Sequence, residues 1–137
     1  MPIRSLVVDD SPIIRTLLGR LLSEYGDCDQ AKDGQEAILS FNRVASEQRP
    51  YDLICLDINL PQMDGMAVLK SIRANELEHK SAPRVKVLII SAENDSGVVR
   101  NAVQLGADGY LVKPITKEAL ADRITDLFPE RLANGNL

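Results

Sequence analysis

Short runs of consecutive apolar residues recur along this chain, each followed by a stretch whose apolar residues fall three and four apart. Few folds accept that alternation. A run apolar at every position suits a strand covered on both faces, and the stretches between suit amphipathic helices. The first run, Leu6-Val7-Val8, ends at Asp9-Asp10. Ser11-Pro12 then offers a cap residue with proline at the first helical position. Ile14, Leu17, Leu18, Leu21 and Leu22 follow as core-packing positions of a helix that Gly26 closes. Cys28 to Ala31 predicts a weaker, more polar strand before an Asp33-Gly34 turn. Ala37, Ile38, Phe41 and Val44 line one face of the next helix, with Pro50 beyond it. Leu53 to Leu56 is a second continuous run, ending at Asp57, and a loop marked by Pro61 and Asp64-Gly65 leads to a helix with Val68, Leu69 and Ile72. Val85 to Ile90 ends at Ser91, and a helix with Val99, Ala102, Val103 and Leu105 stops at Gly106. Tyr110-Leu111-Val112 ends at Lys113-Pro114, and Thr116 caps a last helix carrying Leu120, Ile124, Leu127 and Phe128. Five such units predict an α/β fold, a single doubly wound parallel sheet with helices on both faces. The 137 residues suit one domain, expected over 1–128, with 129–137 a polar tail.

In open sheets of this kind, ligands bind outside the carboxyl ends of the strands. There the apolar runs hand over to Asp9 and Asp10, to Asp57, to Ser91 and to Lys113. Three carboxylates cannot share a small site without a counter-charge, because like charges raise one another's pKa or push the site apart. A hard divalent cation with oxygen ligands supplies that charge. Mg²⁺ suits best, since it takes one or two carboxylates, keeps several waters and accepts phosphate oxygens; Mn²⁺ is the second candidate. Lys113 adds a compact positive charge. The set points to a site for an incoming dianion, with metal and ammonium neutralising phosphoryl oxygens. One of these carboxylates could act as the nucleophile, giving an aspartyl phosphate, and Ser91 could donate a hydrogen bond to one phosphoryl oxygen. Any single aspartate at a strand end is as well explained as a turn former or helix cap. Their joint occurrence at the ends of one set of strands is not.

Composition removes several other classes. The net charge of −4 argues against direct nucleic-acid binding, which needs a basic patch. Trp is absent, which disfavours a base-stacking platform. No apolar run approaches the ~18 residues of a membrane span. Met1-Pro2-Ile3-Arg4 lacks the apolar core and cleavage site of a signal peptide, so a cytoplasmic location is expected, with no membrane partner. Cys28 and Cys55 then fit as free thiols. His79, the only histidine, sits in a charged stretch and reads as a solvated surface residue.

The chain resembles bacterial two-component response-regulator receiver domains, including the stand-alone chemotaxis type, from about Ile3 to Phe128. The resemblance rests on Val7-Val8-Asp9-Asp10-Ser11, Asp33-Gly34, Leu56-Asp57 through Asp64-Gly65, Ile90-Ser91-Ala92, Gly106 to Tyr110, and Lys113-Pro114. It implies a flavodoxin-like fold with strand order 2-1-3-4-5. It implies that Asp57 is the phosphoacceptor and that Mg²⁺ is held by Asp10, Asp57 and the backbone carbonyl of Asn59. Asp9 would act through a metal-bound water. Lys113 would pair with the phosphoryl group, and the bond to Pro114 would be cis. Ser91 and Tyr110 match the hydroxyl and the aromatic that turn inward on phosphorylation. They would reshape the surface of the fourth helix, fifth strand and fifth helix, where a downstream protein docks. Asn59 and Glu93 match positions that tune dephosphorylation, and both being polar implies a short-lived phospho-state. The implied phosphodonor is a histidine kinase or phosphotransfer protein, and the implied oligomeric state a monomer or a phosphorylation-dependent dimer. With this strand order the first strand separates Cys28 from Cys55 by about two strand spacings, roughly 10 Å, too far for a disulfide.

Two departures from the family pattern stand out. The second strand is polar, which leaves its register open, and the stretch Asn75 to Ser81 is longer than usual, as a helix extension or a surface loop. The expected function is a phosphorylation-dependent switch that catalyses its own phosphorylation and dephosphorylation without being a dedicated enzyme. A fragment of a longer regulator with a missing output domain, and a phosphorylation-independent adaptor, are the alternatives. An aspartate-nucleophile phosphatase would need a second aspartate where Asn59 stands, and a flavin protein would need a glycine- and hydroxyl-rich loop where Asp9-Asp10 stand.

Overall fold

The computed structural model describes residues 2–47, 49–60, 63–78, 84–92 and 96–132. Five strands, β1 (Ser5–Val8), β2 (Cys28–Ala31), β3 (Leu53–Asp57), β4 (Lys86–Ser91) and β5 (Gly109–Val112), alternate with helices. The helices are α1 (Pro12–Leu22), α2 (Gly34–Ser46), α3 (Gly65–Glu78), α4 (Ser96–Gln104) and α5 (Lys117–Leu127), followed by a short α6 (Pro129–Leu132). All strand pairs are parallel, and the order is β2-β1-β3-β4-β5, as the resemblance implied.

The sheet divides the core in two, because successive side chains of a strand leave opposite faces. Leu6, Val8, Ile54, Leu56, Val87 and Ile89 pack with Ala37, Phe41 and Val44 of α2, Val68, Leu69 and Ile72 of α3, and Ala102 of α4. Val7, Leu53, Cys55, Leu88, Ile90 and Leu111 pack on the other face with Leu18 and Leu22 of α1 and Leu120 and Ile124 of α5. Each fully buried Leu or Ile contributes about 1.5–3 kcal/mol relative to exposure. β2 tolerates its polar sequence because it is an edge strand: Ala31 alone of its four residues is fully buried. Its register is set by Ser5 opposite Cys28 and Val8 opposite Ala31.

Several local expectations are corrected. α1 ends at Leu22, where the Ser23 amide donates to the Gly19 carbonyl. Gly26 lies beyond the helix, on the approach to β2, with φ +153°, and a Cβ there would sit 2.4 Å from the Ile3 carbonyl oxygen. Asp33-Gly34 is a helix start: the Asp33 side chain accepts from the Glu36 amide at 2.8 Å. Leu17 and Val103, read as core positions, are 37% and 59% exposed, because each stands on the outer flank of its helix stripe. α3 runs on to Glu78, so the described part of the stretch from Asn75 extends the helix; His79 to Ser81 lie outside the described residues. The segment after Phe128 begins with the helical turn α6, from which Arg131 donates to Asp52 Oδ1 at 3.0 Å and to the Pro2 carbonyl at 3.2 Å. Thr116 caps α5 as expected, accepting from the Ala119 amide. Cys28 and Cys55 are free thiols, both pushed up in pKa first by burial.

At the end of the sheet opposite the carboxyl ends, Arg73 joins three elements. It donates to the carbonyls of Gly106 and Val85 and to Glu76 Oε1 and Asp108 Oδ2, all at 2.7–3.0 Å. Asp108 also accepts from the Val87 amide and from Arg84. This mostly buried cluster ties the C-terminal part of α3 to the start of β4 and the turn into β5, fixing the base from which the functional ends project.

Candidate functional site

The carboxyl ends of β1, β3, β4 and β5 deliver the functional side chains. β1 stops at Val8, and its last neighbouring bond runs from the Asp9 amide to the Ala31 carbonyl at 3.2 Å. Asp9 is 1% exposed, whereas Asp10 is exposed. Asp9 Oδ1 accepts the Ser11 amide at 2.9 Å. Ser11 in turn caps α1, its hydroxyl accepting from the Ile14 amide at 3.3 Å. The chain thus leaves the strand, delivers one buried and one exposed carboxylate and enters a helix within three residues.

Asp57 closes β3 and is 4% exposed. Its Oδ1 accepts the Asn59 amide at 3.0 Å. Glycine is required at Gly65, the first residue of α3, because a Cβ there would lie 2.4 Å from the Asp57 carbonyl oxygen and 2.5 Å from Ile58 Cα. The Asp64 carboxylate caps this helix by accepting from the Ala67 amide, so a pair read as a loop marker is what brings α3 against the Asp57 backbone.

Carboxylate oxygens of Asp9, Asp10 and Asp57 lie within 4.8 Å of one another. Lys113 Nζ stands 3.2 Å from Asp9 Oδ2 and 3.5 Å from Asp57 Oδ2. Lys113 is carried there by β5: its amide donates to the Ser91 carbonyl at 2.7 Å, and the Lys113–Pro114 peptide is cis. Ser91, at the end of β4, is fully buried and pairs with Val112. Burial raises the Asp57 pKa above the ordinary carboxylate range and Asp9 adds to the rise; the Asn59 amide and Lys113 oppose it. For Lys113, burial works downward, but the charge of Asp57 and the bond and charge of Asp9 outweigh it and raise its pKa. Among the described residues the site therefore carries more negative charge than its one ammonium offsets, and all of its anionic donors there are hard oxygens. That donor set fits a small divalent cation.

The residues expected from the strand ends, Asp9, Asp10, Asp57, Ser91 and Lys113, are all at one edge of the sheet. Tyr110 lies on β5 opposite Ile89, half-buried against the α2–α4 face. Asn59 is exposed beside Asp57. Glu93 lies outside the described residues. Sequence reading passed over Arg15, whose Nη1 donates to the Asp9 carbonyl at 2.8 Å. An arginine one turn into a helix carries no sequence signal distinguishing it from a solvated surface residue.

The family model described as a response regulator receiver domain matches residues 5–125. A probable chemotaxis protein CheY of Rhizobium etli is 34% identical over 128 residues, covering 92% of each chain. Among solved structures, the chain is similar to one from a CheX–CheY–BeF3–Mg²⁺ complex of Borrelia burgdorferi, with TM-score 0.82, 28% identity, and 93% and 90% of the two chains covered. It is also similar to a chain from the co-crystal structure of a Saccharomyces cerevisiae histidine phosphotransfer signaling protein with the receiver domain of its downstream response regulator, with TM-score 0.80, 29% identity, and 92% and 88% covered. No helix among the described residues is long and apolar enough to cross a membrane.

Proposed function

The chain belongs to the response regulator receiver domain family, and on that premise we propose that it is a phosphorylation-dependent switch whose acceptor is Asp57. One observation carries this reading. A nearly buried carboxylate at the end of β3 has a lysine 3.5 Å away and two further carboxylates close by, all on one sheet edge. In the transfer, an Asp57 carboxylate oxygen forms a new P–O bond while the bond from phosphorus to the donor breaks, its electron pair leaving with the donor. Lys113 sits where it meets the charge of the arriving phosphoryl oxygens. The Asn59 amide holds the acceptor carboxylate in orientation. Asp10, Asp57 and the Asn59 carbonyl would hold Mg²⁺, with Asp9 acting through a coordinated water. Bound there, the ion supplies the positive charge that lets three carboxylates and a phosphoryl dianion share the site.

Ser91 and Tyr110 are the residues that would respond to the phosphoryl group: Ser91 ends β4, the strand beside β3, and Tyr110 lies on β5, the strand beside β4. Their rearrangement would alter the α4, β5 and α5 surface and so its affinity for a downstream protein. A histidine kinase or phosphotransfer protein in the cytoplasm would be the donor; the phosphotransfer complex of the yeast relative supports that class of partner.

The test is intact-mass spectrometry after incubation with acetyl phosphate, with Mg²⁺, with chelator, and on Asp57→Asn. One added phosphoryl group that requires both Mg²⁺ and Asp57 is expected. Beryllofluoride titration followed by amide resonances covers rapid hydrolysis. No added mass together with no beryllofluoride response would replace the switch by a phosphorylation-independent adaptor.

A further inference from the structure

The backbone of the acidic pair is held from outside the carboxylate cluster. β1 has ended at Val8, and the carbonyl of the buried Asp9 accepts from Arg15 Nη1 at 2.8 Å. On the other side of Asp10, the Ser11 amide donates to Asp9 Oδ1 at 2.9 Å. Both peptide planes flanking Asp10 are therefore pinned, the first through its carbonyl and the second through its N–H. Those two planes set the direction in which the Asp10 side chain leaves the backbone. The Arg15 guanidinium is itself set by α1, whose first turn is fixed by the Ser11 cap and by the Arg15 amide donating to the Ser11 carbonyl at 3.0 Å. The exposed Asp10 carboxylate has no burial to orient it, so its aim depends on this backbone.

We propose that Arg15 is a positioning residue for the metal site: its guanidinium fixes the Asp9–Asp10 peptide and so aims the Asp10 carboxylate at the cation. The inference rests on the reading that Asp9, Asp10 and Asp57 hold Mg²⁺. It runs against the simple charge argument. A guanidinium beside a cation site repels the cation, so if charge alone mattered its removal would tighten binding. If aim matters, removal loosens it, as loss of groups that orient metal ligands does by roughly 10–100-fold.

The test is Mg²⁺ titration of the whole chain by calorimetry and by the amide resonances of Asp10 and Ser11. The proteins are wild type, Arg15→Met, Arg15→Lys and, as a same-helix charge control, Arg20→Met. Arg15→Met is expected to bind about tenfold more weakly, equivalent to about 1.4 kcal/mol. Arg15→Lys should recover part of the loss, and Arg20→Met should bind at least as tightly as wild type. Arg15→Met binding as tightly as wild type, or tighter, overturns the proposal while leaving the metal site intact. If Arg15→Met does not fold, Arg15→Lys decides the matter, and equality with wild type overturns the proposal. A wild-type protein that binds no Mg²⁺ overturns both this inference and the reading beneath it.

Discussion

Replacing Asp57 by asparagine is expected to make the metal-free protein more stable, although it removes the phosphoacceptor. At an effective dielectric near 20, two unit charges 4.8 Å apart, the widest separation of carboxylate oxygens in the cluster, repel by about 3.5 kcal/mol. Asp57 faces two such charges, Asp9 and Asp10. Its attraction to Lys113 at 3.5 Å is worth about 4.7 kcal/mol on the same scale. The balance is a net repulsion of about 2 kcal/mol, trimmed to about 1–2 by the solvent around exposed Asp10. Asparagine keeps a carbonyl oxygen for the Asn59 amide, so the turn after β3 survives. The sign of the pH dependence follows from the raised pKa of Asp57. Between the unfolded and folded pKa values the native state binds the extra proton, so wild-type stability falls as pH rises through that window. The advantage of Asp57→Asn should therefore be full near neutral pH and shrink as pH falls toward the ordinary carboxylate range. Mg²⁺ should reverse the order, since saturation at a hundred times its dissociation constant adds about 2.7 kcal/mol to a protein that binds it. Urea denaturation followed by circular dichroism, in chelator and in Mg²⁺, measures each quantity. Asp57→Asn no more stable than wild type in chelator near neutral pH would refute the electrostatic account.

Gly65→Ala should lose about 1–3 kcal/mol, because the new Cβ meets the Asp57 carbonyl and Ile58 Cα, both backbone atoms; thermal denaturation reads this, and an unchanged midpoint would contradict the close approach. Arg73→Ala should lose about 2–4 kcal/mol, since it strips mostly buried Asp108 and the Gly106 and Val85 carbonyls of a donor; a urea midpoint within error of wild type would show the cluster to be incidental. The polar side chains of Asn59 and Glu93 lead us to expect phosphoryl loss well short of hours in Mg²⁺, and a lifetime of many hours by mass spectrometry would refute that.

The five-unit alternation, the faces of the helices and the handover from apolar run to polar side chain were legible in the sequence, because each is a local pattern: an unbroken apolar run for a strand covered on both faces, a period of 3.6 for a helix. Asp9, Asp10, Asp57, Ser91 and Lys113 could be named for the same reason: a strand covered on both faces excludes charge until it ends. The ends of elements were less legible. Gly26 looked like a helix stop but serves the approach to Ile3, and Asp33-Gly34 looked like a turn but opens a helix, because both outcomes share the same residues. What the tertiary structure alone decided is which charges meet. Lys113 reaches Asp9 from 104 positions away, Arg15 turns back to the Asp9 carbonyl, and Arg73 finds its partners across three elements. Periodicity records which face of an element is buried; the partner of a charge depends on strand order and register between segments distant in the chain.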